Sequence, residues 1–167
     1  MMSSAADALG RIESARRYTT NLLSHIPPAD WFRMPKEKVS HIAWQVGHLA
    51  MAEYRLALER IRGKRSDDEQ ILPAVFLERF GKGSTPAADP TVYPSIEEIR
   101  RVFEAVHRQV LNEVAGIDEV ALDAPPAASH ILFNTKRGAL LWCAEHEMLH
   151  AGQIGLLRRL LGSQPIW

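Results

Sequence analysis

Apolar residues recur at helical spacing over four long stretches of the chain, and nowhere in the strict alternation of a half-buried strand. Leu9, Ile12, Thr19, Leu22, Leu23 and Ile26 trace one face of a first helix over about Ser4 to Ile26, and Pro27-Pro28 end it. A connector with a short turn around Trp31-Phe32 follows. Ser40 is then placed to cap a second helix that reaches about Arg62, where Gly63 stops it. Residues 63 to 94 hold most of the glycines and prolines, so they read as a long irregular crossover with a helical turn at Val75–Arg79. Ser95 and Glu98 make a capping-box pair, and Ile96, Ile99, Val102, Phe103, Val106, Val110, Val114 and Ile117 line one side of a third helix. After a connector over 118–134, a last helix spans about Thr135 to Leu161, closed by Gly162 and Pro165.

Four long helices without a strand or an internal repeat predict an all-α single domain over residues 1–167, with a four-helix bundle as the architecture. The 167 residues are enough for one core, and 46% apolar with 24% charged residues is ordinary globular composition. Twenty basic residues balance twenty acidic ones, so no net field draws in nucleic acid or anionic lipid. The start, Met1-Met2-Ser3-Ser4-Ala5, has no signal-peptide pattern and no apolar run is long enough to span a bilayer, which leads us to expect a cytoplasmic protein. The single cysteine, Cys143, sits in the apolar pattern of the last helix and reads as a small buried hydrophobe.

Histidine changes this plain picture. His146 and His150 are four apart in the last helix, about one turn, so two imidazoles share a side and lie near enough to chelate one ion. At about 100° per residue they share that side with Ala139, Trp142, Cys143, Leu149, Gln153, Leu157 and Leu160. An imidazole on an apolar stripe needs a partner, and a shared metal is one such partner. No His, Cys, Asp or Glu follows His150, so a third ligand has to come from upstream. Helix two offers His48, with Trp44, Met51, Ala52 and Arg55 on its side, and His41 two turns earlier as a substitute whose place at the helix start leaves it solvated. His25 and His107 read as core-edge or surface residues and His130 as a loop residue, none with assigned chemistry.

His146-Glu147-Met148-Leu149-His150 also matches H-E-x-x-H, the zinc-peptidase signature. Against a peptidase stand the lack of any ligand residue after the motif and of any sheet edge to hold a peptide.

Trp44-Gln45-Val46-Gly47-His48-Leu49-Ala50 together with His146-Glu147-Met148-Leu149-His150-Ala151-Gly152-Gln153-Ile154 resembles the two marked segments of the DinB-like (damage-inducible, YfiT-type) superfamily. The resemblance implies a four-helix bundle of up-down-down-up course. It also implies a divalent ion, nickel, zinc or another, held by one histidine of helix two and two of helix four, the positions of His48, His146 and His150, and an all-imidazole ligand set suits iron or copper by type as well. Some relatives are thiol S-transferases or isomerases that use low-molecular-weight thiols.

Three neutral imidazoles leave such an ion its charge and an open position, the arrangement of a catalytic metal that activates a bound water for hydrolysis or a thiol for transfer to a small molecule. Glu147 is the candidate base, with a flanking surface acid as its plainer role. Gln153 is placed to orient an imidazole or a bound water, and Arg55 to meet a substrate carboxylate or to pair with Glu59. The competing class is a non-catalytic bundle acting through association. Large apolar faces and the tail Ile166-Trp167 support a homodimer in either case.

Overall fold

The computed structural model describes residues 4–37 and 39–166, and among these it is all helical, with five helices and no strand. Helix α1 (Ala5–Ser24) starts from a reciprocal capping box in which Ser4 accepts from the Asp7 amide and the Asp7 side chain accepts from Ser4. Ala8, Ile12, Ala15, Thr19 and Leu22 form its buried face. Helix α2 begins at Ile42, one residue later than a Ser40 cap would give, because the His41 imidazole accepts the Trp44 amide through Nδ1 at 3.1 Å. His41 is fully buried against Phe32 and Tyr93, which overturns the expectation that it is solvated. The helix is α-helical to Tyr54, widens into a π turn over Arg55–Glu59 and resumes α geometry at Arg60–Arg62 before Gly63.

The glycine- and proline-rich segment after Gly63 is more ordered than its composition suggests. It contains helix α3 (Ala74–Phe80), longer at both ends than the expected turn. Its fully buried Phe76 and Phe80 pack against α2. Gly47 of α2 makes room for this contact, since a Cβ there would lie 2.6 Å from the Phe80 ring. At the far end of α2, Asp68 gathers Tyr54 Oη at 2.7 Å and Arg62 Nη2 at 2.6 Å, while Arg62 Nε also reaches Glu113 at 2.6 Å. Helix α4 (Ile96–Val114) is capped by Ser95 and buries Ile99, Val102, Phe103, Val106, Val110 and Val114. Helix α5 (Lys136–Leu160) is capped by Thr135, and Gly162 at φ 99° turns the chain out of it.

The buried stripe of α5 runs through Ala139, Leu140, Cys143, Glu147, Ala151 and Ile154. His146 and His150 therefore sit at the edge of the stripe, half-buried, and Leu149, Gln153 and Leu160 on their far side are exposed. Helix α1 packs along α5, and α2 packs on both α4 and α5. Where these helices meet lies a buried polar layer to which all four contribute. Arg16 of α1 donates to Glu53 of α2 at 2.6 Å, to Glu147 of α5 at 2.8 and 3.2 Å, and to the Phe103 carbonyl of α4 at 2.8 Å. His107 of α4 completes the layer with a 2.7 Å hydrogen bond to the second Glu53 oxygen. Burial opposes the charge on Arg16, but the two carboxylates outweigh it and hold the guanidinium above its usual pKa. Burial likewise opposes the charge on Glu53, and Arg16 with His107 reverses the effect, so this carboxylate ionises below its usual range. Among the described residues no helix is long and apolar enough to cross a membrane.

Removing Arg16 strands two buried carboxylates. Arg16→Ala is expected to lose about 3–5 kcal/mol of unfolding free energy, read from urea denaturation.

Candidate metal centre

His48 projects from the middle of α2, and His146 and His150 from successive turns of α5. The packing of the two helices brings the three rings into one cluster, with centroids 4.5, 4.6 and 5.3 Å apart. Each offers one nitrogen, and these nitrogens lie within 4.8 Å of one another. The sequence-derived triad is thus assembled, and His41 has no part in it.

The hydrogen bonds of two rings decide which nitrogens are free. His48 Nδ1 lies 2.7 Å from the Phe80 carbonyl, and His150 Nδ1 lies 2.6 Å from Gln45 Oε1. Both partners are carbonyl oxygens, which only accept, so each Nδ1 carries its proton and each Nε2 keeps a lone pair directed elsewhere. Burial lowers the pKa of all three rings. For His48 the Arg55 charge adds to burial and the Phe80 bond opposes it. His146 is lowered to about 4 by burial and then by His48 and His130, and His150 to about 3 by burial and then by His146 and His48. Three neutral imidazoles, two of them with the tautomer fixed by a carbonyl acceptor, form a donor set that fits a divalent transition metal, with no charge of their own to neutralise it.

Other predicted residues fall differently. Glu147 is buried in the polar layer with both oxygens held by Arg16, so it is neither a surface acid nor a group turned toward the histidines. Gln153 is exposed, on the side of α5 away from the core. The glutamine that orients an imidazole is Gln45, three residues before His48 and buried between α2 and α5. Trp44 stacks on His48 with ring centroids 4.8 Å apart and donates from Nε1 to Ser84 Oγ at 3.0 Å, tying the loop after α3 to the site. Arg55 is half-exposed and 3.9 Å from Glu59. Cys143 is buried, and burial with the nearby Glu53 and Glu147 pushes its thiol pKa well up, so it is inert packing as expected.

A cleft of about 430 Å³ opens beside the histidines. Trp44, Met51, Trp142 and His130 form part of its wall with His48 and His146, and residues 81–84 form its rim. Gly81 suits that rim because a Cβ there would lie 2.3 Å from the Leu77 carbonyl.

This geometry fits what comparison with known proteins finds. The family model of the DinB superfamily matches residues 11–154, and the chain belongs to that superfamily. Its fold is also that of the conserved protein of locus from Enterococcus faecalis, whose crystal structure superposes with a TM-score of 0.74 at 16% identity, covering 98% of this chain and 100% of that one. No curated protein matches the sequence.

Two outcomes are expected. Gln45→Ala should weaken metal binding by roughly 10–100-fold in a chelator competition, because His150 loses the acceptor that fixes its ring. The metal-free protein should lose stability on acidification. The three histidines of the centre bind protons less readily folded than unfolded, so their contribution to stability is complete above the unfolded pKa of 6.5 and declines as pH falls toward the folded values of about 4 for His146 and about 3 for His150. His41, lowered to about 4 mainly by burial, adds to the same decline. A falling urea midpoint between pH 7 and pH 5, shallower in His146→Gln, checks the sign.

Proposed function

We propose that the protein is a metal-dependent enzyme that acts on a small molecule at the His48–His146–His150 centre, as a thiol S-transferase or a hydrolase. The observation that carries this reading is the convergence of three neutral histidine nitrogens within 4.8 Å, two of the rings, His48 and His146, lining an open cleft, with no carboxylate among them. A structural metal site is closed by four protein ligands, whereas three leave a position for substrate or water. A divalent ion bound there would act as a Lewis acid and lower the pKa of a water or a thiol.

The protein's own groups would do the rest. Phe80 and Gln45 hold two ligand rings in register, Trp44 and Trp142 offer apolar walls to a substrate body, and the stacked Trp44 shields His48. With Glu147 committed to Arg16, no acidic side chain lines the cleft among the described residues, so a proton would leave to solvent, to the His130 imidazole on the cleft wall or to the substrate's own groups. Nickel and zinc are the first ions to test, with iron and copper next, since imidazole alone suits all four. The HExxH peptidase reading loses its base for the same reason. We also take the course of the long helices to be the up-down-down-up bundle that the family resemblance implies.

A second reading rests on a different surface. Met148, Leu149, Leu156 and Leu160 are 45–58% exposed along the outer side of α5, a stripe suited to self-association, and a homodimer is our expectation for either class of function. Trp167, the other residue that suggested a dimer, lies outside the described residues.

Elemental analysis of untagged protein tests the metal reading. Wild type should carry about one nickel or zinc ion per chain, and His48→Ala and His146→Ala should each carry nearly none. Loaded wild type is then assayed for thiol transfer and for hydrolysis. An absence of metal even after incubation with nickel or zinc overturns the proposal, as does a fully loaded protein inactive in both classes of reaction.

A further inference from the structure

The cleft beside the histidines is cationic on its other wall. Arg55, Arg60 and Lys82 line it together with His130, and no carboxylate does among the described residues. Arg55 has Glu59 nearby, at 3.9 Å, and Lys82 is exposed on the rim. Arg60 is different. It is half-buried and makes no ion pair among the described residues, its Nη1 reaches only the Arg55 carbonyl at 3.4 Å, and its Nε is buried without a hydrogen-bond partner. The guanidinium stands over the Phe133 ring at 6.0 Å, a weak contact at that distance. Burial and the neighbouring Arg55 both disfavour its charge, and only Glu59 favours it. A guanidinium whose Nε–H gives up water without gaining an acceptor, and whose charge has no ion-pair partner among the described residues, is stabilised when an anion binds its remaining donors.

The backbone explains how Arg60 comes to face the cleft. In the π turn over Arg55–Glu59 the Arg60 amide donates to the Arg55 carbonyl, five residues back. This brings Arg60 nearer the face of Arg55 than an uninterrupted α-helix would, where residues five apart point well around the cylinder from one another. The turn lies directly after the metal-ligand segment of α2, so the departure from α geometry puts a second cation beside the same cavity. The 127 amide, which bonds the Arg60 carbonyl at 2.8 Å, fixes this end of the helix against the connector before α5.

We infer that the centre takes a small organic anion, with an apolar body between Trp44 and Trp142 and a carboxylate or phosphate held by Arg60, assisted by Lys82 and Arg55. Arginine presents paired N–H donors that match two oxygens of a carboxylate or a phosphate. The inference rests on the proposed metal chemistry for its biological meaning, but the anion preference belongs to the cleft wall and is measured separately.

The probes are 3-phenylpropionate, its neutral isostere 3-phenylpropionamide, and 2-phenylethylphosphonate. Binding is followed by tryptophan fluorescence in full-length wild type loaded with zinc, in metal-free His48→Ala, in Arg60→Gln and in Lys82→Gln, with metal content measured on each sample. Both anions are expected to bind wild type at least roughly tenfold more tightly than the amide. That preference should persist in His48→Ala, fall to the amide level in Arg60→Gln with metal content unchanged, and weaken in part in Lys82→Gln. Stronger binding of one anion than the other identifies the oxyanion as carboxylate or phosphate. Equal binding of acid and amide overturns the inference. So does an acid preference that survives Arg60→Gln but vanishes in His48→Ala, which would place the anion on the metal alone. If Arg60→Gln does not fold, loss of part of the preference in the rim variant Lys82→Gln supports the inference and an unchanged preference there overturns it. Wild type without metal would sink the enzymatic reading and still leave the acid and amide comparison to judge the cleft.

Discussion

Arg16 is the point at which the four long helices are joined by something more directional than apolar contact. Its guanidinium reaches Glu53, Glu147 and the Phe103 carbonyl at once, so each partner helix is held at a particular rotation as well as a particular distance. Apolar packing alone tolerates small rotations of a helix about its axis, whereas a buried ion pair that slips leaves an uncompensated charge. Glu147 lies between His146 and His150 in sequence, and with its carboxylate fixed toward Arg16 the two histidines must emerge at the edge of the buried stripe, facing α2. Glu53 fixes α2, five residues beyond His48, in the same way. The geometry of the histidine cluster is in this sense set by a polar layer that shares no atom with it.

The cluster itself is held in a state ready to bind. Burial strips the rings of water and keeps them neutral, while Phe80 and Gln45 choose the tautomer. Across the cleft, Arg60 keeps a buried Nε without an acceptor and has only a long bond from Nη1 to the Arg55 carbonyl. One cleft thus holds neutral donors on one wall and a cation without an ion-pair partner among the described residues on the other, a division that suits a ligand with two chemically distinct ends.

Much of this could be read in the sequence, and the exceptions have a common cause. Helix limits followed from Ser4, Pro27, Gly63, Ser95 and Gly162, since caps and breakers act locally. The histidine triad followed from spacing on two helices and from resemblance to the superfamily. The role of Glu147 is not legible locally, because its partner, Arg16, is 131 residues away and nothing near it in sequence announces an ion pair. Gln153 shares the histidines' side of α5 by periodicity, but Glu147 and its neighbours occupy the centre of the buried stripe, which leaves Gln153 exposed. Gln45 carried one legible sign, its place one turn before His48. Arg60 carried none, because its direction depends on a π turn that no residue pattern signals.

The two oriented histidines differ in what mutation can reach. Gln45 acts on His150 through a side chain, so a single codon change deletes or alters that bond and with it the basicity of the ring. Phe80 acts on His48 through its main-chain carbonyl, which every amino acid possesses. No substitution at position 80 removes that acceptor; only a displacement of the end of α3 can, and the Phe80 ring seated on Gly47 resists it. Variation can therefore retune one ligand in small steps while the other is inherited with the fold.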